Sequence, residues 1–205
     1  MSEDEFAVLN YLDIFKSITD IDSIKISTDL ESERIKAILA KFLEEGYVEK
    51  EVYGERGMWN IKKVGERVAA LHRQLLLEKT GRKDAVIKKC EEFEELNVKF
   101  KALVTSWQIR VVDGVPIIND HSDAEYDSII LNKIFSLHED VKRTLEELAS
   151  FISMYRSYVK RLDFAIEKLK EGETDYLTKA QSSYHNVWFE LHESILKLWG
   201  KERIE

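Results

Sequence analysis

The sequence predicts a mostly α-helical protein that carries one small β-hairpin in its N-terminal part. Three observations lead to this prediction. The 205 residues include only eight glycines and one proline, so few positions force a helix to break. Apolar residues recur at intervals of three and four over most of the chain, which is the spacing of an amphipathic helix. Residues 47–52 instead alternate in the manner of a β-strand, and residues 58–61 follow as the returning strand after a turn.

The N-terminal part shows the most regular succession of elements. Helical spacing predicts a first helix over residues 4–19, a short helix over 22–28 and an amphipathic helix over 32–45. Gly46 ends the third helix, since glycine takes the left-handed conformation of a helix C-cap without strain. The two predicted strands follow, joined by a turn at 53–57.

This order of helix, turn, helix and two-stranded wing resembles the winged helix-turn-helix domain of MarR-like and ArsR-like prokaryotic regulators. The resemblance rests on Leu43-Glu-Glu-Gly-Tyr-Val48, on the wing tip Gly54-Glu-Arg-Gly57 and on Lys62-Lys-Val-Gly-Glu-Arg67. It covers about a third of the chain and implies a DNA-binding domain at residues 1–80. Winged helices also serve as protein-binding modules, so a protein-interaction module is the alternative that this fold leaves open.

A winged helix of this type would place its second helix-turn-helix helix against the base edges of double-stranded DNA. Two small residues on the exposed face of that helix would allow a close approach, with basic side chains at its margins for phosphate or guanine. A basic residue at the wing tip would enter the minor groove. The predicted DNA-binding residues are Ser32, Arg34, Lys36, Ala37, Ala40, Lys41, Arg56, Lys62 and Lys63.

The charge of the chain bears on this prediction in two ways. Its net charge of −8 opposes nucleic-acid binding, because affinity for phosphate comes mainly from Lys and Arg. Residues 62–90, however, contain nine basic and only three acidic residues. This segment either meets phosphates beside the wing or forms a solvated helix face.

The second half of the chain is predicted to be an all-helical bundle, at residues 81–205. Its helical patterns are separated by one irregular segment, residues 111–122, which contains the only proline. The helix over 64–79 is apolar around much of its girth, so we expect it to be buried on two sides, between domains or against a second subunit. With the apolar chain end at residues 195–199, it predicts a homodimer held by the helical half.

Aromatic and polar side chains are dense in the irregular segment and on the last predicted helix, which spans 176–198. They predict a pocket for a small-molecule effector between helices. The effector-binding residues are Trp107, Gln108, His121, Asp123, Tyr126, Tyr184, His185 and Trp188. A third possibility is a metal-dependent sensor or enzyme built on His121, Asp123, His185 and His192.

Several classes of function lack their sequence signals. The chain has no glycine-rich phosphate loop, no nucleophile elbow and no zinc-binding helix, so we expect neither an enzyme nor a cofactor. The single Cys90 makes no intramolecular disulfide and is expected to be buried. No apolar run is long enough to cross a bilayer, and the acidic N-terminus is unlike a signal peptide. The prediction is a cytoplasmic, DNA-binding transcriptional regulator that acts as a dimer.

Overall fold

Helices form most of the structure, a computed structural model that describes residues 1–53 and 56–201. The helices are α1 (Glu3–Phe15), α2 (Ile21–Thr28), α3 (Ser32–Glu44), α4 (Lys63–Lys79), α5 (Lys83–Gln108), α6 (Ala124–Phe151), α7 (Tyr155–Lys170), α8 (Asp175–Thr178) and α9 (Tyr184–Trp199). The strands are β1 (Val48–Tyr53), β2 (Arg56–Ile61), β3 (Ile109–Val112) and β4 (Val115–Ile118). Among the described residues, none of the helices combines the length and apolar character that a bilayer crossing demands.

The chain divides into two compact units. The first unit runs from Met1 to Lys83 and includes the chain from Trp188 onward, and the second runs from Asp84 to Val187. Helix α9 therefore begins in the second unit and ends in the first. The sequence had placed this whole helix with the C-terminal half of the chain.

In the first unit, three helices precede a two-stranded antiparallel sheet, which confirms the predicted order of elements. We call this sheet the N-terminal hairpin (β1 and β2), and its register pairs Val48 with Ile61. The buried sides of α1, α2 and α3 meet the hairpin in one hydrophobic core that contains Leu9, Ile24 and Phe42. Helices α2 and α3 are buried on one side, as the apolar spacing had predicted, whereas α1 is buried on all sides from Val8 to Ile14.

Local signals explain where these elements begin and end. Ser2 and Glu5 form a capping box at the start of α1, and the Asp20 carboxylate accepts a hydrogen bond of 2.8 Å from the Ser23 backbone at the start of α2. Gly46 follows α3 with a φ of 73°, the conformation expected of a C-cap glycine. Gly65 lies so close to the backbone of Tyr47 that an added Cβ would be 2.3 Å from its carbonyl oxygen. Only glycine therefore allows α4 to pack against the start of the hairpin.

Helix α9 is fixed to the first unit by a buried ionic cluster. Asp13 on α1 pairs with Arg73 on α4 and, at 3.2 Å, with Lys197 on α9. Arg73 also donates a hydrogen bond of 3.0 Å to the side-chain oxygen of Asn10. The apolar chain end was predicted to be a dimer surface, but Ile195, Leu196 and Leu198 are buried. That part of the dimer prediction is wrong, because these side chains are already buried within the single chain.

Helix α4 differs from its prediction in another way. It was expected to be buried on two sides, but only one side is buried, through Gly65, Ala69, Arg73 and Leu77. The apolar residues of the opposite side, Val64, Leu71 and Leu75, are exposed. Sequence periodicity identifies apolar faces but cannot tell which of them the same chain covers.

The second unit contains a hairpin that the sequence had not predicted. Strands β3 and β4 form this second hairpin, which begins two residues before the segment interpreted as irregular (111–122) and otherwise lies within it, so the all-helical prediction for residues 81–205 is wrong. Its two-residue turn, Asp113-Gly114, has positive φ at both positions (52° and 80°), as twisted hairpins require. The signal was present in the sequence as Asp-Gly between β-branched residues. Pro116 had been taken as a sign of irregular structure instead.

The later helices also differ in their limits. Apolar spacing predicts two long helices over 123–137 and 138–171, whereas the break between α6 and α7 lies at residues 152–154. The single helix predicted over 176–198 is divided into α8 and α9. At this division, the Ser183 hydroxyl accepts a hydrogen bond of 3.3 Å from the Asn186 backbone, and the Asn186 side chain donates to the Ala180 carbonyl. These bonds satisfy backbone groups at the start of α9.

Candidate nucleic-acid interface and the polar clusters of the second unit

The candidate nucleic-acid interface is the solvent side of α3. The opposite side of the helix is buried in the core of the first unit through Ile35, Ile38 and Phe42. Ala37 and Ala40 are exposed, so the solvent side carries two small side chains in the middle of the helix, with the exposed Glu33 one turn before them and the exposed Glu44 one turn after them. A flat surface of this kind permits close approach of another molecule.

The basic side chains around this surface are paired with carboxylates of the same chain. Lys36 contacts Glu33 at 2.6 Å, Arg34 contacts Asp4 at 2.9 Å and Lys41 contacts Glu5 at 2.7 Å. The hydrogen bond with Lys41 lowers the pKa of Glu5, and the same bond raises the pKa of Lys41. Each predicted phosphate contact on α3 is therefore offset by a neighbouring negative charge.

The predicted residues beyond α3 vary in their surroundings. Lys63 pairs with Glu66 at 3.1 Å, whereas Lys62 is exposed and forms no ion pair within the described parts of the chain. Ser32 is the first residue of α3 and is partly buried. The prediction for the wing tip, including the Arg56 side chain, lies outside the residues and side chains that the structure describes.

The basic segment 62–90 is less available than its composition indicates. Arg73 is buried and bound to Asn10 and Asp13, so it belongs to the core of the first unit. Lys89, in the second unit, pairs at 2.6 Å with both Glu92 and Glu147. A single exposed run of nine basic side chains is therefore not formed, because tertiary contacts neutralise some of them.

Five of the eight predicted effector residues lie at the base of the second hairpin. The rings of Trp107 and His121 are 4.4 Å apart, and His121 Nδ1 lies 2.9 Å from the carboxylate of Asp127. Asp123 accepts a hydrogen bond of 3.0 Å from the Tyr126 backbone and so caps α6. Gln108 contributes its backbone carbonyl, which accepts a bond of 2.8 Å from the backbone of Asn119.

Two further side chains complete this group, which we call the hairpin-base cluster (Trp107, Arg110, Asn119, His121, Asp123, Tyr126 and Asp127). Arg110 pairs with Asp123 at 3.3 Å and lies over the Tyr126 ring. The buried Asn119 side chain donates to the Trp107 carbonyl at 3.0 Å and to Asp127 at 2.7 Å. These polar groups satisfy one another and join the hairpin to α5 and α6.

The remaining predicted effector residues lie elsewhere. Tyr184 and His185 pack near the Phe100 ring, with centroid distances of 5.3 and 6.3 Å. Phe100 is two helical turns from Trp107 along α5, which corresponds to about 10 Å. Trp188 belongs to the first unit. Two open grooves of the second unit, of about 410 and 520 Å³, are lined by other residues.

A second polar group, missed by the sequence interpretation, surrounds Tyr184. His138 Nε2 lies 2.8 Å from Asp163, and His138 Nδ1 lies 3.2 Å from the Tyr184 hydroxyl. Lys142 donates to the other oxygen of Asp163 at 2.8 Å. This His138 cluster (His138, Lys142, Asp163 and Tyr184) links α6, α7 and α9 within the second unit.

Burial governs the protonation of the His138 cluster. Desolvation lowers the pKa of His138, although Asp163 acts in the opposite direction, and burial raises the pKa of Tyr184. In a neutral His138 with its proton on Nε2, Nε2 donates a hydrogen bond to Asp163 and Nδ1 accepts one from the Tyr184 hydroxyl. Sequence periodicity contained one signal for this cluster, since His138 stands inside the apolar stripe formed by Ile134, Val141 and Leu145.

Neither metal chemistry nor known relatives assign a function to these groups. Within residues 1–53 and 56–201, no three His, Cys, Asp or Glu side chains are arranged to hold a metal ion. His121, Asp123, His185 and His192, the residues of the metal-sensor alternative, belong to no such group among the described residues. No family model matches this sequence, and the comparisons with curated proteins and with solved structures also gave no match.

Proposed function

We propose that this chain is a DNA-binding transcriptional regulator in which the first unit is a winged helix-turn-helix. One observation carries the proposal: the solvent side of α3 presents Ala37 and Ala40 between Lys36 and Lys41, in a helix that precedes a β-hairpin. Small side chains allow the helix axis to approach base edges, and flanking lysines can reach phosphates. The order of elements supports the same assignment through its resemblance to winged-helix regulators.

The ion pairs on α3 set the expected strength of binding. Exposed ion pairs contribute only about 0–1 kcal/mol, so a phosphate can replace Glu33 as the partner of Lys36 at little cost. The displaced carboxylate still repels the DNA backbone. Non-specific affinity is therefore expected to be weak and to fall steeply with added salt.

Charge variants of α3 test the proposal on the intact chain. Lys36→Ala is expected to weaken duplex binding by roughly 1–3 kcal/mol if the side chain contacts a base, and by less if it contacts phosphate. Glu33→Gln is expected to strengthen binding by up to about fivefold, because a competing carboxylate is removed at a gain of ~1 kcal/mol. Fluorescence anisotropy with a labelled random-sequence duplex, over a series of salt concentrations, measures both effects.

The matched controls are Lys179→Ala and Asp175→Asn. These two residues form an exposed ion pair of 3.2 Å in the second unit. Changing them alters net charge by the same amount as the α3 variants but leaves α3 intact. If the α3 variants and the controls shift affinity equally, binding reflects net charge alone and the proposed interface is wrong.

A protein-interaction module is the second candidate, and two observations favour it. The α3 cations are already paired with carboxylates, and the second hairpin exposes apolar side chains on both strands. An exposed apolar patch is typical of a protein-binding surface. Absence of duplex binding at low salt, by the wild type and by Glu33→Gln alike, would select this candidate over DNA binding.

Control by a small-molecule effector remains a prediction. The eight residues predicted to bind it are distributed over the hairpin base, the surroundings of Phe100 and the first unit, and the hairpin-base groups already satisfy one another. A thermal-shift screen of metabolites, with His121→Ala and His185→Ala as controls, tests this part of the proposal separately from DNA binding.

A further inference from the structure

The acidic first turn of α1 contacts one margin of the solvent side of α3. Arg34 Nε donates a hydrogen bond of 2.9 Å to the carboxylate of Asp4, and Lys41 Nζ donates one of 2.7 Å to the carboxylate of Glu5. Arg34 and Lys41 are seven residues apart, which is almost two helical turns, so both lie along one line of α3. We call Asp4 and Glu5 the acidic turn. It occupies two of the predicted phosphate contacts from a different helix.

Glu5 is also held by a second hydrogen bond. One of its carboxylate oxygens, Oε2, accepts a bond of 2.9 Å from the Ser2 backbone as part of the capping box. The other oxygen, Oε1, accepts the bond from Lys41. The capping box fixes the carboxylate independently of Lys41, so little side-chain entropy of Glu5 is lost when the ion pair forms.

This arrangement differs from the ion pair on the other margin of α3. Glu33 and Lys36 belong to the same helix, and the Glu33 side chain is 85% exposed. The Glu5 side chain is only 15% exposed, so solvent and salt screen its charge less. The hydrogen bond between Glu5 and Lys41 lowers the pKa of Glu5 and raises the pKa of Lys41, which keeps both groups charged at neutral pH. Glu5 is therefore expected to hold its cation more firmly than Glu33 does.

We propose that the acidic turn is an intramolecular competitor of DNA phosphate, which keeps Arg34 and Lys41 from binding duplexes non-specifically. The inference rests on the proposed function, since it concerns cations of the same interface. A phosphate must displace Asp4 from Arg34, or Glu5 from Lys41, before it binds the cation. Asp4 and Glu5 thus determine specificity through these two cations rather than by contact with the duplex.

Non-specific binding is the mode that this competition weakens most. It depends almost entirely on the neutralisation of phosphates by lysine and arginine, whereas binding to a specific site adds contacts to bases. Two occupied cations therefore remove a larger share of the non-specific affinity than of the specific affinity. The ratio of the two affinities, which measures specificity, rises as a result.

Neutral variants of the acidic turn test the inference on the intact chain. Glu5→Gln removes the charge but keeps the capping box, since glutamine also serves at this position. Glu5→Gln and Asp4→Asn are each expected to strengthen binding to a random-sequence duplex by about two- to fivefold. In the double variant, affinity is expected to be higher still and to fall more steeply with salt, because more cations are available to phosphates. Fluorescence anisotropy over a series of salt concentrations measures both effects.

Glu125→Gln is the matched control. Glu125 is an exposed glutamate in the first turn of α6, in the second unit, so its substitution makes the same chemical change away from α3. Circular dichroism verifies that each variant keeps its fold. Equal effects of Glu5→Gln and Glu125→Gln would overturn the inference, because net charge alone would then account for the change.

A double-mutant cycle tests whether the acidic turn acts through the cations of α3. In a Lys41→Gln background, Glu5→Gln is expected to have little effect on affinity, because the cation that it would release is absent. Arg34→Gln is expected to cancel the effect of Asp4→Asn in the same way. If Glu5→Gln strengthens binding equally with and without Lys41, its carboxylate repels DNA directly and the inference is wrong.

The outcomes separate this inference from the proposed function. Duplex binding by the wild type that Asp4→Asn and Glu5→Gln leave unchanged would overturn the inference and retain the proposed function. No binding at low salt, by the wild type and by the double variant alike, would overturn both.

Discussion

The two hairpins of this protein pair their strands in the same way but are stabilised by different interactions. Both are two-stranded and antiparallel. The N-terminal hairpin buries Val48, Trp59 and Ile61 in the core of the first unit. The second hairpin exposes every apolar side chain of its strands, up to 83% for Ile118. An isolated two-stranded hairpin is at best marginally stable in water, so the second one depends on its turn and its base.

The register of the N-terminal hairpin is determined by burial. A slip of one residue would turn Trp59 and Ile61 towards solvent, and this cost specifies the pairing. The sheet is also fixed by two backbone hydrogen bonds between Thr19 and Trp59, of 2.8 and 2.9 Å. Side-chain burial and backbone hydrogen bonding therefore both hold β2 in its position.

The register of the second hairpin is determined by its two ends. The Asp113-Gly114 turn fixes one end, and the Asn119 bonds to Gln108 and Trp107 fix the other. In a two-residue hairpin, the pair of Val111 and Pro116 is a non-hydrogen-bonded pair, so the missing N–H of Pro116 faces the outer edge. That edge cannot extend into a longer sheet at this position. The comparison shows that local turn chemistry and a few anchors can replace burial in specifying a strand pair.

The largest expected effect tests the buried hairpin. Trp59→Ala removes an indole that is 6% exposed, and we expect it to lower the free energy of unfolding by about 3–5 kcal/mol. Denaturant unfolding followed by circular dichroism measures the change. Val52→Ala, at an exposed position of the same hairpin, serves as the control and is expected to change it by less than ~0.5 kcal/mol. Equal effects of the two variants would show that the N-terminal hairpin is not held by its core.

An intermediate effect is expected at the base of the second hairpin. Asn119→Ala removes the donor to the Trp107 carbonyl and to Asp127, and we expect a loss of about 1–3 kcal/mol in the free energy of unfolding. Hydrogen exchange of the Val112 and Val115 amides is also expected to accelerate. Asp120→Ala, which alters an exposed hydrogen bond to Ser122 in the same segment, is the control. An unchanged exchange rate in Asn119→Ala would mean that the turn alone maintains the pairing.

The smallest effect is expected on the exposed strand of the second hairpin. Ile118→Ala is expected to change the free energy of unfolding by less than ~0.5 kcal/mol, because the side chain contributes little burial. The equivalent change in the N-terminal hairpin, Ile61→Ala, is expected to cost about 2–5 kcal/mol. If Ile118→Ala is as destabilising as Ile61→Ala, the exposed face of the second hairpin is covered in solution.

The sequence alone determined the elements whose signals are local. Helices α2 and α3 and the N-terminal hairpin follow from apolar spacing within a few residues and from Gly46, and the predicted limits agree closely with the structure. The exposure of Ala37 and Ala40 follows from the same helical period. The second hairpin was also encoded locally, by Asp-Gly between β-branched residues, although this signal was not recognised.

Only the tertiary structure decided which partners these residues have. Arg34 pairs with Asp4, thirty residues away. Arg73 was predicted to be part of a basic segment but binds Asn10 and Asp13 in the core instead. The His138 cluster is assembled from three helices that are distant in sequence. Helical periodicity reports whether a position faces inward or outward, because it depends on the geometry of one helix. It carries no information about which distant charge or ring that position meets, since this depends on how the helices pack.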